Sequence, residues 1–396
     1  MSTATVRLGD VATFVRGITF KPADVLDGVT ADAVGCMRTK NVQSKLDETD
    51  VWFLPKNFVA NKNQVLQEGD LLVSTANSWN LVGKACWVPK LNYECTFGGF
   101  ISALRATDAL VDRRYLYYWF TSAKIQAKLR SFGNKTTNIS NLSIKRANDL
   151  VIPLPPLADQ KRIAAILDKA AEIKAKREQA IAKLDELAQS TFVEMFGEQI
   201  SKSTKTVNDF FEVNANRYET NLKDADRVSF VPMSAVSEIS KTIENEEFRE
   251  YGEVKKGYTP IKHGDLIVAK ITPCYENGKQ AIATVSTQFA YGSTEFHTFR
   301  SSNKNLVTLL HYYLQTKNVM REGAANMKGA AGQRRVPDSF FKSLPFALPA
   351  TNELNKFSAA IASQNKRRAE QVRQLAVIET TIASLQHKAF TTGFNA

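Results

Sequence analysis

Two stretches of this chain share one plan: a short apolar alternation, a proline, then a long segment that only a helix fits. In the first, Leu150, Ile152 and Leu154 alternate before Pro155, and neither Gly nor Pro falls between Pro156 and Gly197. Proline fixes φ and keeps the residue before it extended, and Asp159 then sits near the positive end of the helix dipole. Apolar side chains step by threes and fours through Ile163, Ile166, Ala170, Ile173, Ala180, Leu184 and Leu187, interrupted by Arg177, and Gly197 is the expected stop. So narrow a stripe reads as a coiled-coil seam, and a seam needs a partner.

The second stretch supplies one. Leu344, Phe346 and Leu348 lead to Pro349, and a stripe follows through Leu354, Phe357 and Ile361. A polar gap at Gln364, Arg368 and Gln371 precedes Leu375, Ile378, Ile382, Leu385 and Ala389. Pro155 and Pro349 are 194 residues apart, as are Phe196 and Phe390. The remainder repeats at nearly the same interval: EGDLLV at 68–73 matches HGDLIV at 263–268, and Gly83-Lys84 matches Gly278-Lys279, both shifted by 195. Phe97-Gly98 answers Tyr291-Gly292, and Tyr117-Tyr118 answers Tyr312-Tyr313. A period this long marks a domain duplication, not a solenoid. The frameworks match while the segments between them diverge.

Length (396 residues) predicts two to three domains. Lys and Arg exceed Asp and Glu by 52 to 40, a net charge of +12 that favours a polyanionic partner. The beginning MSTATVRLGD has no apolar signal core, and no run approaches membrane-spanning length. Cys36, Cys86, Cys95 and Cys274 form no CxxC pair and suit a reducing cytoplasm as packed thiols.

Candidate DNA-binding groups fall in polar loops of both repeats, and the last loop of each occupies a matching place. In the first these are Arg38, Lys40, Asn41 and Gln43; then Ser74, Thr75, Asn77 and Trp79; then Asn134, Lys135, Thr136 and Thr137. In the second they are Lys270, Thr272, Tyr275, Asn277 and Lys279; then Ser293, Thr294 and Glu295; then Lys328, Gln333, Arg334 and Arg335. Guanidinium, amide and hydroxyl groups bond phosphates and base edges, Arg and Asn in bidentate fashion, and Glu can accept from cytosine N4. Such loops are also what a solvated surface looks like, and a scaffold whose basic charge is incidental stays open on the residues alone. The aromatics of RRYLYYWF read as core.

Catalytic motifs are missing. No polar residue precedes Pro-Pro-aromatic as in amino-methyltransferases; the nearest strings are PLPPL and ITPCY. Gly278-Lys279 is followed by Gln280, which is no P-loop, and Glu253-Val254-Lys255 has no upstream Pro-Asp to make a nuclease site. His263, His297, His311 and His387 lack metal-ligand spacing. The expectation is a binder, with no catalytic residue and no metal.

PLPPLADQKRIAAILDKA, the GDLLV and GDLIV strands and GSTEF resemble the specificity subunits of type I restriction-modification systems, over essentially the whole chain. Asp159 stands where Glu is commoner, and ALPATNEL departs from LPPLxEQ. The resemblance implies an α+β fold: two duplicated α/β target-recognition domains, separated by an antiparallel two-helix coiled coil and related by pseudo-two-fold symmetry. The implied domains are 1–155 and 198–349, with spacer helices at 156–197 and 350–396. Each domain would read one half of a bipartite, asymmetric site on double-stranded DNA. Two modification subunits would bring S-adenosylmethionine and methylate adenine, and restriction subunits would bring ATP and Mg for translocation and cleavage. Independently, the seam from Ile163 to Leu187 would span roughly 36 Å at about 1.5 Å per residue. Half-sites on one face of B-DNA lie about 34 Å apart, so the helices would act as a ruler.

Overall fold

A computed structural model describes residues 4–107, 109–135, 139–215, 220–330 and 332–391, with Asn134 and Lys135 described by backbone alone. The chain divides into two compact units, Met1–Glu178 with Arg373–Ala396, and Gln179–Val372.

In the first unit a four-stranded antiparallel sheet runs in the order Ala12–Arg16, Ile101–Ala106, Leu71–Ser74, Ala85–Trp87. A second sheet places Ala33–Met37 between Trp52–Pro55, antiparallel, and Cys95–Phe97, parallel. Strand Thr5–Arg7 pairs with Val151–Pro153 and ties the start of the unit to the approach to its long helix. The expected single helix over RRYLYYWFTSAKIQAKLRSF is two, Arg113–Phe120 and Ala123–Ser131, and its Tyr115, Tyr118, Trp119 and Phe120 are core as expected.

The second unit repeats the first sheet in the order Glu212–Val213, Phe296–Arg300, Leu266–Ala269, Gln280–Ile282. Its other sheet again sets a parallel pair, Arg227–Val231 with Phe289–Gly292, beside an antiparallel neighbour, Glu247–Glu250. A bridge from Thr206 to Pro345 stands where the first unit has its two-stranded pair.

The GD motif has a physical reason in both copies. Gly69 (φ +92°) and Gly264 (φ +94°) take a left-handed turn that L side chains resist. The following Asp70 and Asp265 are 2 % exposed. Asp70 receives a two-pronged bond from Arg105 at 2.8 and 2.7 Å, and Asp265 one from Arg300 at 2.9 and 2.7 Å. Each carboxylate also accepts a backbone N–H three residues earlier, from Gln67 or Lys262. Both Arg and both Asp recur at 195 residues.

The long helices are Leu157–Ser201 and Thr351–Thr391. Within the first unit Ile163 and Leu167 share a core with Leu385, Ala389 and Phe390, and Lys174 pairs with Glu379 at 2.7 Å. Within the second, Asp185 pairs with Arg368, and the Phe196 and Phe357 rings meet at 5.3 Å. In each unit partner numbers fall in one helix as they rise in the other, which is antiparallel packing. The later helix buries the stripe read from sequence: Leu354, Phe357 and Ile361 are buried, and Leu375, Ile378, Ile382 and Leu385 are half-buried.

The earlier helix corrects it. Ile166, Ile173 and Leu187 are exposed, at 38, 42 and 51 %. The covered stripe runs instead through Gln160, Ile163, Leu167, Ala170, Lys174, Arg177, Ile181, Leu184 and Ala188. Ile163, Ala170 and Leu184 keep their places. Lys174 and Arg177 hold the seam because long cationic side chains can lay their methylene stems on apolar surface. Gly197 does not stop the helix either. Ile200, one turn on, is 2 % exposed in the second unit's core, and burying it outweighs the roughly 1 kcal/mol that a helical Gly costs.

Two outcomes follow from this packing. Leu167→Ala should destabilise the first unit by about 2–5 kcal/mol in urea unfolding, and Ile173→Ala by less than about 1 kcal/mol. Equal losses would restore the stripe read from sequence. In the second unit, burial pushes the His311 imidazole down to about 4 and lowers His297 too. The unfolded chain therefore takes up protons first, and this stabilisation is whole above pH 6.5 and lost as pH falls towards 4. The thermal midpoint of the second unit should drop across that window and drop less in His311→Gln; a flat wild-type profile contradicts it.

Candidate nucleic-acid interface

In the first unit a one-turn 3₁₀ helix, Thr39–Asn41, organises the candidates that follow strand Ala33–Met37. Asn41 makes the turn rather than offering itself to a ligand. It is fully buried, accepts from the Arg38 N–H at 2.7 Å, and donates to the carbonyls of Asp47 at 2.7 Å and Asp50 at 3.0 Å. Packing on this turn would leave its loop carbonyls unpaired without the amide. Arg38 and Lys40 both reach the Asp50 carboxylate, whose pKa they hold below the ordinary value, Lys40 foremost. The Arg38 guanidinium lies 3.7 Å from the Trp52 ring centroid. Gln43 is exposed, and its side-chain oxygen accepts from Lys84 at 2.6 Å.

Ser74, expected at the interface, is 1 % exposed: it ends a central strand, and its hydroxyl accepts from Asn77 at 3.0 Å. Thr75 donates to the Phe100 carbonyl at 3.1 Å, and Trp79 is half exposed. Asn77 pairs with Ser140 in a sheet whose outer strand is Gly133–Lys135, so these two loops adjoin. The side chains of Asn134 and Lys135, and all of Thr136 and Thr137, lie outside the described residues.

In the second unit three candidate segments converge. The Thr272 N–H donates to the Arg334 carbonyl at 3.0 Å, Lys270 N–H to Glu295 at 2.9 Å, and Lys328 bridges Arg335. Arg335 grips both Glu295 oxygens, at 2.7 to 3.1 Å, and holds that carboxyl below its usual range. Glu295 is thus paired with Arg335 before any base approaches its carboxylate. Lys270 is half-buried, and burial lowers its ammonium pKa. Lys328, Gln333, Arg334 and Thr294 are exposed, Arg334 bonding the Met327 carbonyl at 3.2 Å; Ser293 is half-buried and accepts from the Glu295 N–H.

Tyr275 is a second correction: 2 % exposed, it donates to the Val319 carbonyl at 3.1 Å and fills the space left by Gly323. Asn277 and Lys279 form a separate group, tied to Glu238 at 3.1 and 3.8 Å, with Thr272 bonding Glu276. Sequence reasoning missed Asp50 and Trp52, which fix Arg38. Their signal was weak, an acid and an aromatic in a divergent insert. Among the described residues no group of His, Cys, Asp and Glu could hold a metal ion, and no helix is long and apolar enough to cross a membrane.

These roles separate in one paired experiment. Asn41→Ala should cost about 1–3 kcal/mol of first-unit stability. Arg334→Ala should leave stability within about 0.5 kcal/mol yet weaken DNA binding, the salt slope falling by about one contact if it meets phosphate. Unchanged binding by Arg334→Ala across a salt titration would remove the 328–335 loop from the interface.

Residues 2–184 match the model of the type I restriction modification DNA specificity domain. The chain is 40 % identical over 133 residues to the EcoEI type I restriction enzyme specificity subunit of Escherichia coli, a match over 33 % of this chain and 22 % of that one. It is 22 % identical over 369 residues to the StySPI specificity subunit of Salmonella potsdam, covering 88 % of this chain and 79 % of that one. The EcoEI match therefore spans about a fifth of its relative, the StySPI match most of it. The fold is similar to that of the type I restriction-modification S subunit from M. genitalium, with a TM-score of 0.53 at 11 % identity over 98 % of this chain and 99 % of that one.

Proposed function

We propose that the chain is a specificity subunit of the type I restriction-modification kind and tells such a complex where on double-stranded DNA to act. Each unit reads one half of a bipartite, asymmetric site. The chain performs no chemistry. Two modification subunits supply S-adenosylmethionine and methylate adenine, and restriction subunits supply ATP and Mg for translocation and cleavage. A cytoplasmic setting suits Cys36, Cys86 and Cys95, buried free thiols.

The observation that carries this reading is the repeated framework with unlike loops. Both units hold the same sheet order and the same Asp–Arg fork. At the turn after the parallel strand one unit has Thr39–Asn41 and the other Met233–Ala235, and the exposed loop groups differ throughout: Lys40, Gln43 and Trp79 in one unit, Thr294, Lys328, Gln333 and Arg334 in the other. Constant scaffolding fixes where each loop stands, and loop chemistry sets which base edges it can bond. Basic charge supplies the phosphate attraction common to both.

Exchanging residues 1–150 for the first domain of another family member, with modification subunits present, should change one half of the methylated motif. Sequencing of modified bases in cellular DNA reads the outcome. A change in both halves contradicts independent readout, and an unchanged motif denies the first unit any role in recognition.

A further inference from the structure

The first unit contains a cavity of about 480 Å³ that none of its framework needs. Phe20, Trp52 and Phe100 line it, with Arg16, Arg38 and Lys40. Volumes of roughly 300–1,000 Å³ are those of small-ligand sites. Phe100 is 64 % exposed, yet its backbone is fixed: its carbonyl accepts from the Thr75 N–H at 3.0 Å, the Ala76 N–H at 2.9 Å and the Thr75 hydroxyl at 3.1 Å. An aromatic ring held open to water on a pinned backbone contributes little to folding and is already placed for a partner. Along the same cavity, Arg38 lies on Trp52, and Phe20 meets Trp52 edge-on with centroids 6.0 Å apart. The Arg38 Nε is buried without a hydrogen-bond partner among the described residues. A buried donor left unmatched is costly and points to an acceptor that arrives with a ligand.

We propose that this cavity takes one nucleobase swung out of the DNA duplex, a site that rests on the specificity-subunit reading and deepens it. Aromatic rings and guanidinium planes are the surfaces on which unstacked bases lie. Base nitrogens and carbonyl oxygens offer acceptors for the Arg38 Nε, and Arg16 and Lys40 face the phosphates on either side. A base inside a duplex has both faces covered by its neighbours, so a base that lies against Phe100 has left the stack. The second unit carries no such site at the corresponding turn. Two residues beyond Gly292 stands Thr294, where the first unit has Phe100 two beyond Gly98. The extruded base therefore belongs to the first half-site.

The experiment uses the full chain with its modification subunits and duplexes of the motif methylated in cells. One set of duplexes carries an abasic site at each first half-site position in turn, another a mismatch. Phe100→Ala should lower affinity about 5- to 100-fold without lowering the thermal midpoint. Phe100→Trp should restore binding and Phe100→Leu should not, because leucine keeps the apolar bulk and lacks a stacking face. At one position the abasic duplex should lose as much as Phe100→Ala, with no further loss in combination. A mismatch there lowers the cost of extrusion, so it should tighten wild-type binding and leave Phe100→Ala unchanged.

Wild-type affinity in Phe100→Ala, full rescue by Leu, or additive losses at every position would each overturn the pocket alone. A wild-type complex that does not distinguish the motif duplex from a scrambled one would overturn the specificity-subunit reading with it.

Discussion

A carboxylate buried beside a guanidinium is the constraint on which each unit is built. Asp70 and Asp265 open a central strand of the main sheet, and Arg105 and Arg300 stand on the neighbouring central strand. The two-pronged geometry fixes the register of those strands, and the further bond that each carboxylate accepts from the N–H three residues earlier fixes the turn leading in. Removing one partner of such a pair costs about 3–5 kcal/mol, since it strands a buried charge. The left-handed Gly before each Asp is required by the same turn. What varies between the units begins where that strand ends: the segments after Ser74 and Ala269 carry different residues on the same support.

That division explains what was legible. The GD strands, the prolines before the long helices and the stripe of Thr351–Thr391 were all read correctly, because turn chemistry and periodicity are local. The fork was half visible: the Asp sits in a recognisable string, whereas Arg105 and Arg300 lie in otherwise dissimilar strands. The earlier helix misled because it has two nearly apolar faces. Ile166, Ile173 and Leu187 satisfy the spacing as well as Leu167, Ile181 and Ala188 do, and the true stripe contains Lys174 and Arg177. Hydrophobic counting penalises those two, although their methylene stems can lie on apolar surface.

The candidate site was legible by segment and not by residue. Asn41, Ser74, Tyr275 and Glu295 are polar groups in polar loops, and composition does not tell a side chain that closes its own loop from one turned outward. Asn41 spends its amide on three backbone groups, and Glu295 its carboxylate on Arg335. The groups remaining at the surface include Lys40, Gln43 and Trp79 in one unit and Thr294, Lys328 and Arg334 in the other.

Acidic residues inside a basic surface then have a definite job. Asp50 binds Arg38 and Lys40, and Glu295 binds Arg335, so cations of both units start out paired. Exposed pairs of this kind add little stability, and their value lies elsewhere. A long cationic side chain left unpaired samples many rotamers, and ordering it on a ligand costs about 0.5–1.5 kcal/mol. A carboxylate that holds the guanidinium plane beforehand removes that cost and also subtracts charge from the phosphate attraction. The exchange favours geometry over strength. For the proposed selection of one DNA site, weaker general attraction and better-placed donors serve best, because phosphate attraction is the same at every sequence and a positioned fork is not.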